Sequence, residues 1–137
     1  MSMFKVFDTA ASGMSAQSLR LNLVASNMAN ADSVSSSIGE TYKARQPVFK
    51  AVFDEMGGEN PAVGVRMTGV VESKAPLIKE YAPNHSMADE EGYVFRPNVN
   101  MVEEMANMIS ASRSYQSNVE VASAAKQMLI ATIRMGQ

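Results

Sequence analysis

The sequence predicts a mainly α fold with a small β part. A long N-terminal helix and a long C-terminal helix pair as an antiparallel coiled coil, with a small antiparallel β region between them in the chain. Three observations carry this expectation. All five prolines fall between Pro47 and Pro97. Residues 98–135 hold neither Pro nor Gly, and residues 1–31 hold Gly13 alone. Both ends also repeat apolar residues at three- and four-residue steps, the period of a helix face.

The first element covers residues 1–31. Its apolar row is Phe4, Phe7, Ala11, Met14, Ser18, Leu21, Ala25 and Met28, with a single polar member. Charge is sparse: Lys5, Asp8 and Arg20 are the charged side chains of residues 1–30. A solvated helix normally carries charge on its outer face. Small uncharged residues there let another helix approach closely, with no charge to desolvate.

Residues 32–41 are polar and serine-rich, with Gly39 near their end, and read as a loop or linker. Residues 42–97 form the small β-rich middle region. Tyr42–Phe49 alternates like a strand, and Pro47 assigns it to a sheet edge. Residues 63–71 give the clearest alternation, with Val63, Val65, Met67 and Val71 on one face. Ala75–Tyr81 and Tyr93–Arg96 are shorter candidates. Gly57-Gly58 and Asn60-Pro61 mark loops.

The last element covers residues 98–137. Its row runs Met101, Met105, Met108, Ser112, Tyr115, Val119, Ala122, Lys126, Leu129 and Ile133, widened by Val102, Ile109 and Ile130. A helix over residues 99–134 would be about 54 Å long, more than a compact domain of this size needs. Nine of the twelve methionines lie in the two end segments, and flexible thioethers suit surfaces that fit several partners. The expectation is two helices contacted on more than one side, loose in the isolated chain and ordered when subunits pack. The residues expected to carry helix packing are Phe7, Met14, Leu21, Met28, Met105, Met108, Tyr115, Val119 and Leu129.

Composition excludes several functions. The net charge of −2 gives no field to recruit nucleic acid or an anionic membrane. The absence of Cys removes disulfides, thiolate metal sites and thiol nucleophiles. No apolar run reaches the ~20 residues of a membrane helix, so the chain is not expected to be membrane-embedded. Asp8 interrupts what would be the apolar part of a cleavable signal. His85 is the single histidine, and the acidic residues near it, Asp89, Glu90 and Glu91, are consecutive and point in different directions. No nucleophile-elbow or phosphate-binding glycine motif occurs. Neither a catalytic centre nor a metal or cofactor site is expected.

Several segments resemble one family. Ser12-Gly-Met-Ser-Ala-Gln-Ser-Leu19 and Val24-Ala-Ser-Asn-Met-Ala-Asn-Ala-Asp32 are similar to the N-terminal motif of bacterial flagellar rod and hook proteins, in which an Asn-x-x-Asn segment ends the first helix. Ala88-Asp-Glu-Glu-Gly-Tyr-Val-Phe-Arg-Pro-Asn-Val-Asn100, followed by Glu103–Ile109, Ala111–Asn118 and Ala124–Met128, resembles the short proximal-rod members of that family. The resemblance covers about residues 1–56 and 75–137. It departs at Ser86, where the family usually has Pro, and in the length of the 32–41 segment.

The resemblance implies a structural subunit of the proximal rod of the flagellar basal body, polymerising through its terminal helices into a shaft that transmits torque to the hook. Implied partners are copies of the same chain, other proximal and distal rod proteins, the adaptor joining rod to MS ring, and the flagellar type III export apparatus. The implied location is the periplasmic rod, reached without a cleaved signal. Another short rod protein, or a soluble helical binding or chaperone module, is the alternative.

Overall fold

The computed structural model describes residues 3–53 and 62–136, and the side chains of 4–53 and 64–136. The loops expected at Gly57-Gly58 and Asn60-Pro61 lie outside the described residues. The element order is α1 (Met3–Asn30), β1 (Arg45–Phe53), β2 (Ala62–Glu72), β3 (Ile78–Tyr81), β4 (Tyr93–Arg96) and α2 (Met101–Met135). The two helices pack against each other, and the strands form two small antiparallel sheets, β1-β2 and β3-β4.

Helix α1 stops where the sequence offers its backbone other partners. Asn30 Nδ2 donates to the Ser26 carbonyl at 2.8 Å, and Ser33 donates to the Asn30 carbonyl from both its N–H and its hydroxyl. Helix α2 begins at Met101 because the residues before it are otherwise engaged. Asn98 bridges other segments, and Asn100 Oδ1 accepts from Val102 N–H at 3.0 Å and Glu103 N–H at 3.4 Å, a side-chain N-cap. Glu103 and Glu104 in the first turn and Arg134 in the last match the helix macrodipole.

Pro47 lies inside β1, and this is tolerated because both strands of a two-stranded sheet are edges. In β3-β4 the register pairs Ile78 with Arg96 and Tyr81 with Tyr93. Lys79 Nζ sits 4.0 Å from the centre of the Tyr93 ring, which also meets Tyr81 edge-on at 5.1 Å. Gly92 turns the chain into β4 with φ of +83°, and a β-carbon there would lie 3.0 Å from the Tyr81 ring. Both the backbone angle and the close ring select glycine.

The chain divides into two compact units. The first holds residues 1–21, 47–69 and 109–137, and the second holds 22–46 and 70–108. In the first unit the buried apolar side chains are Ala10, Ala16, Ala111 and Ala125. A β-carbon on Gly13 would lie 2.8 Å from Asn118 Nδ2, so the Asn118 side chain of α2 packs against the bare backbone of α1 there. Ser12 Oγ accepts from Val65 N–H at 3.1 Å and donates to the Thr9 carbonyl, which ties β2 to α1. In the second unit Val24, Ala31, Ala44, Val94 and Pro97 are buried around a set of polar side chains.

The innermost row of α1 is displaced by one residue from the expected one. It runs Ala10, Gly13, Gln17, Arg20, Val24, Asn27 and Ala31, all buried or half-buried, whereas Ala11, Ser18 and Ala25 of the expected row are exposed. On α2 the buried positions are Glu104, Ala111 and Ala125, where Met105, Ser112 and Lys126 were expected. The larger apolar side chains flank an innermost row that mixes small residues with polar ones such as Gln17, Asn27 and Glu104.

Candidate functional site

Six alanines, two valines and Pro97 are the buried apolar side chains among the described residues. The large apolar residues of the helices are left partly or wholly outside. In the first unit Ile109, Val119, Ile130 and Ile133 stand on one side of α2 and are 40–57% exposed. Ser112, Gln116, Ser123 and Lys126 complete this row at three- and four-residue spacing. In the second unit Val102 and Met105 are 75% and 50% exposed at the start of the same helix. Ile109, Val119, Ile130 and Ile133 lie to one side of the buried row of α2, so the first unit leaves these large apolar side chains uncovered there, interleaved with polar ones.

The nine packing candidates divide by helix. Phe7, Met14, Leu21 and Met28 of α1 are half-buried, as are Met108 and Leu129 of α2. Met105 is 50%, Tyr115 38% and Val119 42% exposed. None of the nine is fully buried within its own subunit. Phe7, Met14, Leu21, Tyr115, Val119 and Leu129 belong to the first unit, and Met28, Met105 and Met108 to the second. The outer face of α1 carries Ala11, Ser15 and Ser18 in the first unit and Asn22, Ala25 and Ala29 in the second, all exposed. Beyond the exposed Asp8 that begins this row, these are small, uncharged side chains.

A polar anchor in the second unit shapes the end of α1. Asn27 is 1% exposed. Its Oδ1 accepts from Arg45 N–H at 2.9 Å and from the Tyr42 hydroxyl at 2.8 Å, while its Nδ2 donates to the Arg45 carbonyl at 2.9 Å. Asn98 works similarly, accepting from Ala44 N–H and donating to the Ala75 carbonyl, both at 2.8 Å. Each amide substitutes for backbone partners that irregular chain would otherwise lack.

Residues 32–41 differ from a loose linker. Ser35 exchanges both backbone bonds with Phe95 at 3.0 Å, and its buried hydroxyl lies 2.6 Å from that of Thr41. Thr41 bonds back to the Ser37 carbonyl through both N–H and hydroxyl. Asp32 accepts from Arg96 at 2.8 Å, and Arg96 also reaches Glu80. Serine and threonine satisfy their own turn, so a polar segment becomes an ordered one. Composition gave no signal for this. The one available signal for Asn27 is its place in the Asn27-x-x-Asn30 pair at the helix end.

Nothing in this arrangement gathers reactive groups. His85 is exposed, and its Nδ1 accepts from Met87 N–H at 3.1 Å within a turn. Among the described residues no three His, Cys, Asp or Glu side chains converge to hold a metal ion. No helix among them is long and apolar enough to cross a membrane. The geometry supplies exposed apolar helix surface and a buried polar anchor.

Comparison with known proteins agrees. Residues 7–35 match the family of flagella basal body rod proteins, and residues 90–135 match the C-terminal family of the flagellar basal body rod FlgEFG proteins. The chain is 47% identical to the flagellar basal-body rod protein FlgC of Salmonella typhimurium over the whole of both chains. It is 46% identical to FlgC of Escherichia coli O6:H1, again over the whole of both, and 34% identical to that of Borreliella burgdorferi over 93% of each. With both helical ends matched and full-length identity near one half, the chain belongs to the FlgC family of flagellar basal-body rod proteins.

Proposed function

We propose that this chain is a non-enzymatic structural subunit of the proximal rod of the bacterial flagellar basal body. It polymerises through α1 and α2 into the shaft that carries motor torque to the hook. The observation that carries the reading is the inverted distribution of apolar side chains. Among the described residues of the first unit the fully buried apolar side chains of the helices are alanines, while Ile109, Val119, Ile130 and Ile133 stay on the surface. Neighbouring copies would bury that stripe, at roughly 1.5–3 kcal/mol for each large side chain fully removed from water. A contact that does not close into a ring propagates as a helical tube.

The partners on this reading are copies of the chain, other proximal and distal rod proteins, and the adaptor joining the rod to the MS ring. The flagellar type III export apparatus would deliver the subunit to the periplasmic space without removing a signal. Helices held by small side chains suit such delivery, because little buried apolar area must be exposed when the chain is extended. Deleting the gene and restoring it in trans tests the role. The expected result is loss of swimming and of rods in isolated basal bodies, both regained on complementation. Normal basal bodies without the chain would sink the reading.

A further inference from the structure

The β1-β2 sheet in the first unit has an outer face that the helices do not use. Burial alternates over residues 47–50 of β1 and 65–69 of β2, and residues 50–53 are all exposed. Pro47 and Phe49 of β1 and Val65, Met67 and Gly69 of β2 are half-buried. Val48, Lys50 and Val52 of β1 and Arg66 and Thr68 of β2 are exposed. The Thr68 hydroxyl donates to the Val48 carbonyl at 3.2 Å, which fixes the two strands against each other. Lys50 and Arg66 line one shallow hollow of about 190 Å³ with Ala51, Val52 and the 56%-exposed Phe53. Among the described residues neither cation is in an ion pair. Two like charges on one sheet face repel each other and weaken the hairpin. A carboxylate from outside would relieve that repulsion.

The chain carries such carboxylates in its second unit. Asp89 Oδ1 accepts from Glu91 N–H at 3.0 Å and Tyr93 N–H at 2.7 Å, which fixes the turn before β4. The side chains of Glu90 and Glu91 are exposed on that turn. Glu91 makes one loose contact, with Lys79 at 3.6 Å, its side chain 75% exposed. Among the described residues the other exposed carboxylates are either single, as at Asp8, Glu40, Glu72, Glu103 and Glu120, or shared with Arg96, as at Asp32 and Glu80. Among the described residues the 89–91 turn is the one run of three consecutive acidic residues.

We propose that the Lys50–Arg66 face of one subunit receives the Glu90–Glu91 turn of a second copy, with Val52 packing beside the ion pairs. The contact joins two different patches, so it is heterologous and propagates along an assembly. It rests on the reading of the chain as a self-assembling subunit, and it adds a salt-sensitive selector of neighbour to the apolar helix stripe.

Reciprocal charge reversal tests this on the purified full-length chain, with self-association followed by sedimentation velocity at low and high salt. K50E/R66E and E90K/E91K should each raise the association threshold by about tenfold or more at low salt. An equimolar mixture of the two variants should regain wild-type association, because each then meets an opposite charge. Circular dichroism of each variant should match wild type. Wild-type association by either variant alone overturns the contact. A mixture that fails to recover overturns the second copy as occupant, and so does a wild-type chain that stays monomeric. If the charge variants assemble normally while Val119→Asp does not, the hairpin contact falls and the helical reading stands.

Discussion

Gly13 of α1 faces the amide of Asn118 on α2 so closely that a β-carbon at residue 13 would lie 2.8 Å from Nδ2 and 3.0 Å from Cγ. No side chain can be added at that position without displacing the amide. The helix contact of the first unit is therefore set by the absence of a side chain on one helix and a short polar one on the other.

Substitution at Gly13 should separate two opposed effects. Alanine raises helix propensity by about 1 kcal/mol in a helix interior, but its methyl group must push Asn118 aside. Gly13→Ala is expected to be nearly neutral in urea unfolding. Gly13→Leu should be destabilising by about 1–3 kcal/mol through overpacking. Asn118→Ala in the Gly13→Ala background should be more favourable than in wild type, because the clash is removed. A double-mutant cycle gives the coupling directly, and additivity of the two changes would show that the pair is not in contact.

The Asn27 anchor should be costly to remove. Asn27→Ala leaves Arg45 N–H, the Arg45 carbonyl and the Tyr42 hydroxyl without the partner they now share. A buried group left unsatisfied costs about 1–3 kcal/mol, so a loss of about 2–4 kcal/mol is expected where water enters only partly. Tyr42→Phe removes one of the three bonds, together with the 3.2 Å contact of the Tyr42 and Ser26 hydroxyls, and should cost about 1 kcal/mol. Chemical unfolding followed by circular dichroism measures both. Equal effects of the two substitutions would mean that the backbone bonds to Asn27 carry little.

The extent to which this molecule could be read in its sequence follows from side-chain size. The long helices and all four strands were legible, because their signals are proline placement, alternation and helical period. The helix register was not. Hydrophobic pattern weights Phe, Met and Leu, so it selected Phe7, Met14 and Leu21 and passed over Ala10, Gly13 and Val24 one residue away. The contact inside the subunit uses small residues, whose signal is weak, and the large ones sit beside it. The order of residues 32–41 was equally hidden, because a serine hydroxyl bonded to its own turn and one facing solvent look the same in composition. Asn27 and Asn98 stand out only once the backbone groups around them are known.

Assembly and stability should separate at Val119 and Leu21. Val119 is 42% exposed, and Leu21 is half-buried. Val119→Asp should leave monomer stability within about 0.5 kcal/mol of wild type, as exposed substitutions usually do. It should nevertheless abolish rod assembly and swimming, because a neighbour would have to bury the new charge. Leu21→Asp should lose assembly and also lower stability. Swimming on soft agar and thermal unfolding of the purified chain are the two readouts. A motile Val119→Asp strain would show that this stripe is not an interface.

The last expectation concerns the helices before assembly. Among the described residues of the first unit the fully buried apolar side chains of the helices are Ala10, Ala16, Ala111 and Ala125, each with a single methyl group, and the larger ones are only partly covered. Burial of one such group contributes about 0.8 kcal/mol, while fixing one residue's backbone costs about 1–2 kcal/mol. The outer turns of α1 and α2 are thus held weakly by the subunit itself and strongly once neighbours cover their apolar stripes. The end near Asn27 and Asn98 has buried polar bonds to resist opening. Hydrogen exchange on dilute chain should show rapid exchange over residues 4–20 and 120–134, slower exchange over 24–31, and protection of all three in the assembled form. Uniform strong protection of both helices in the dilute chain would mean that the subunit orders its ends without neighbours.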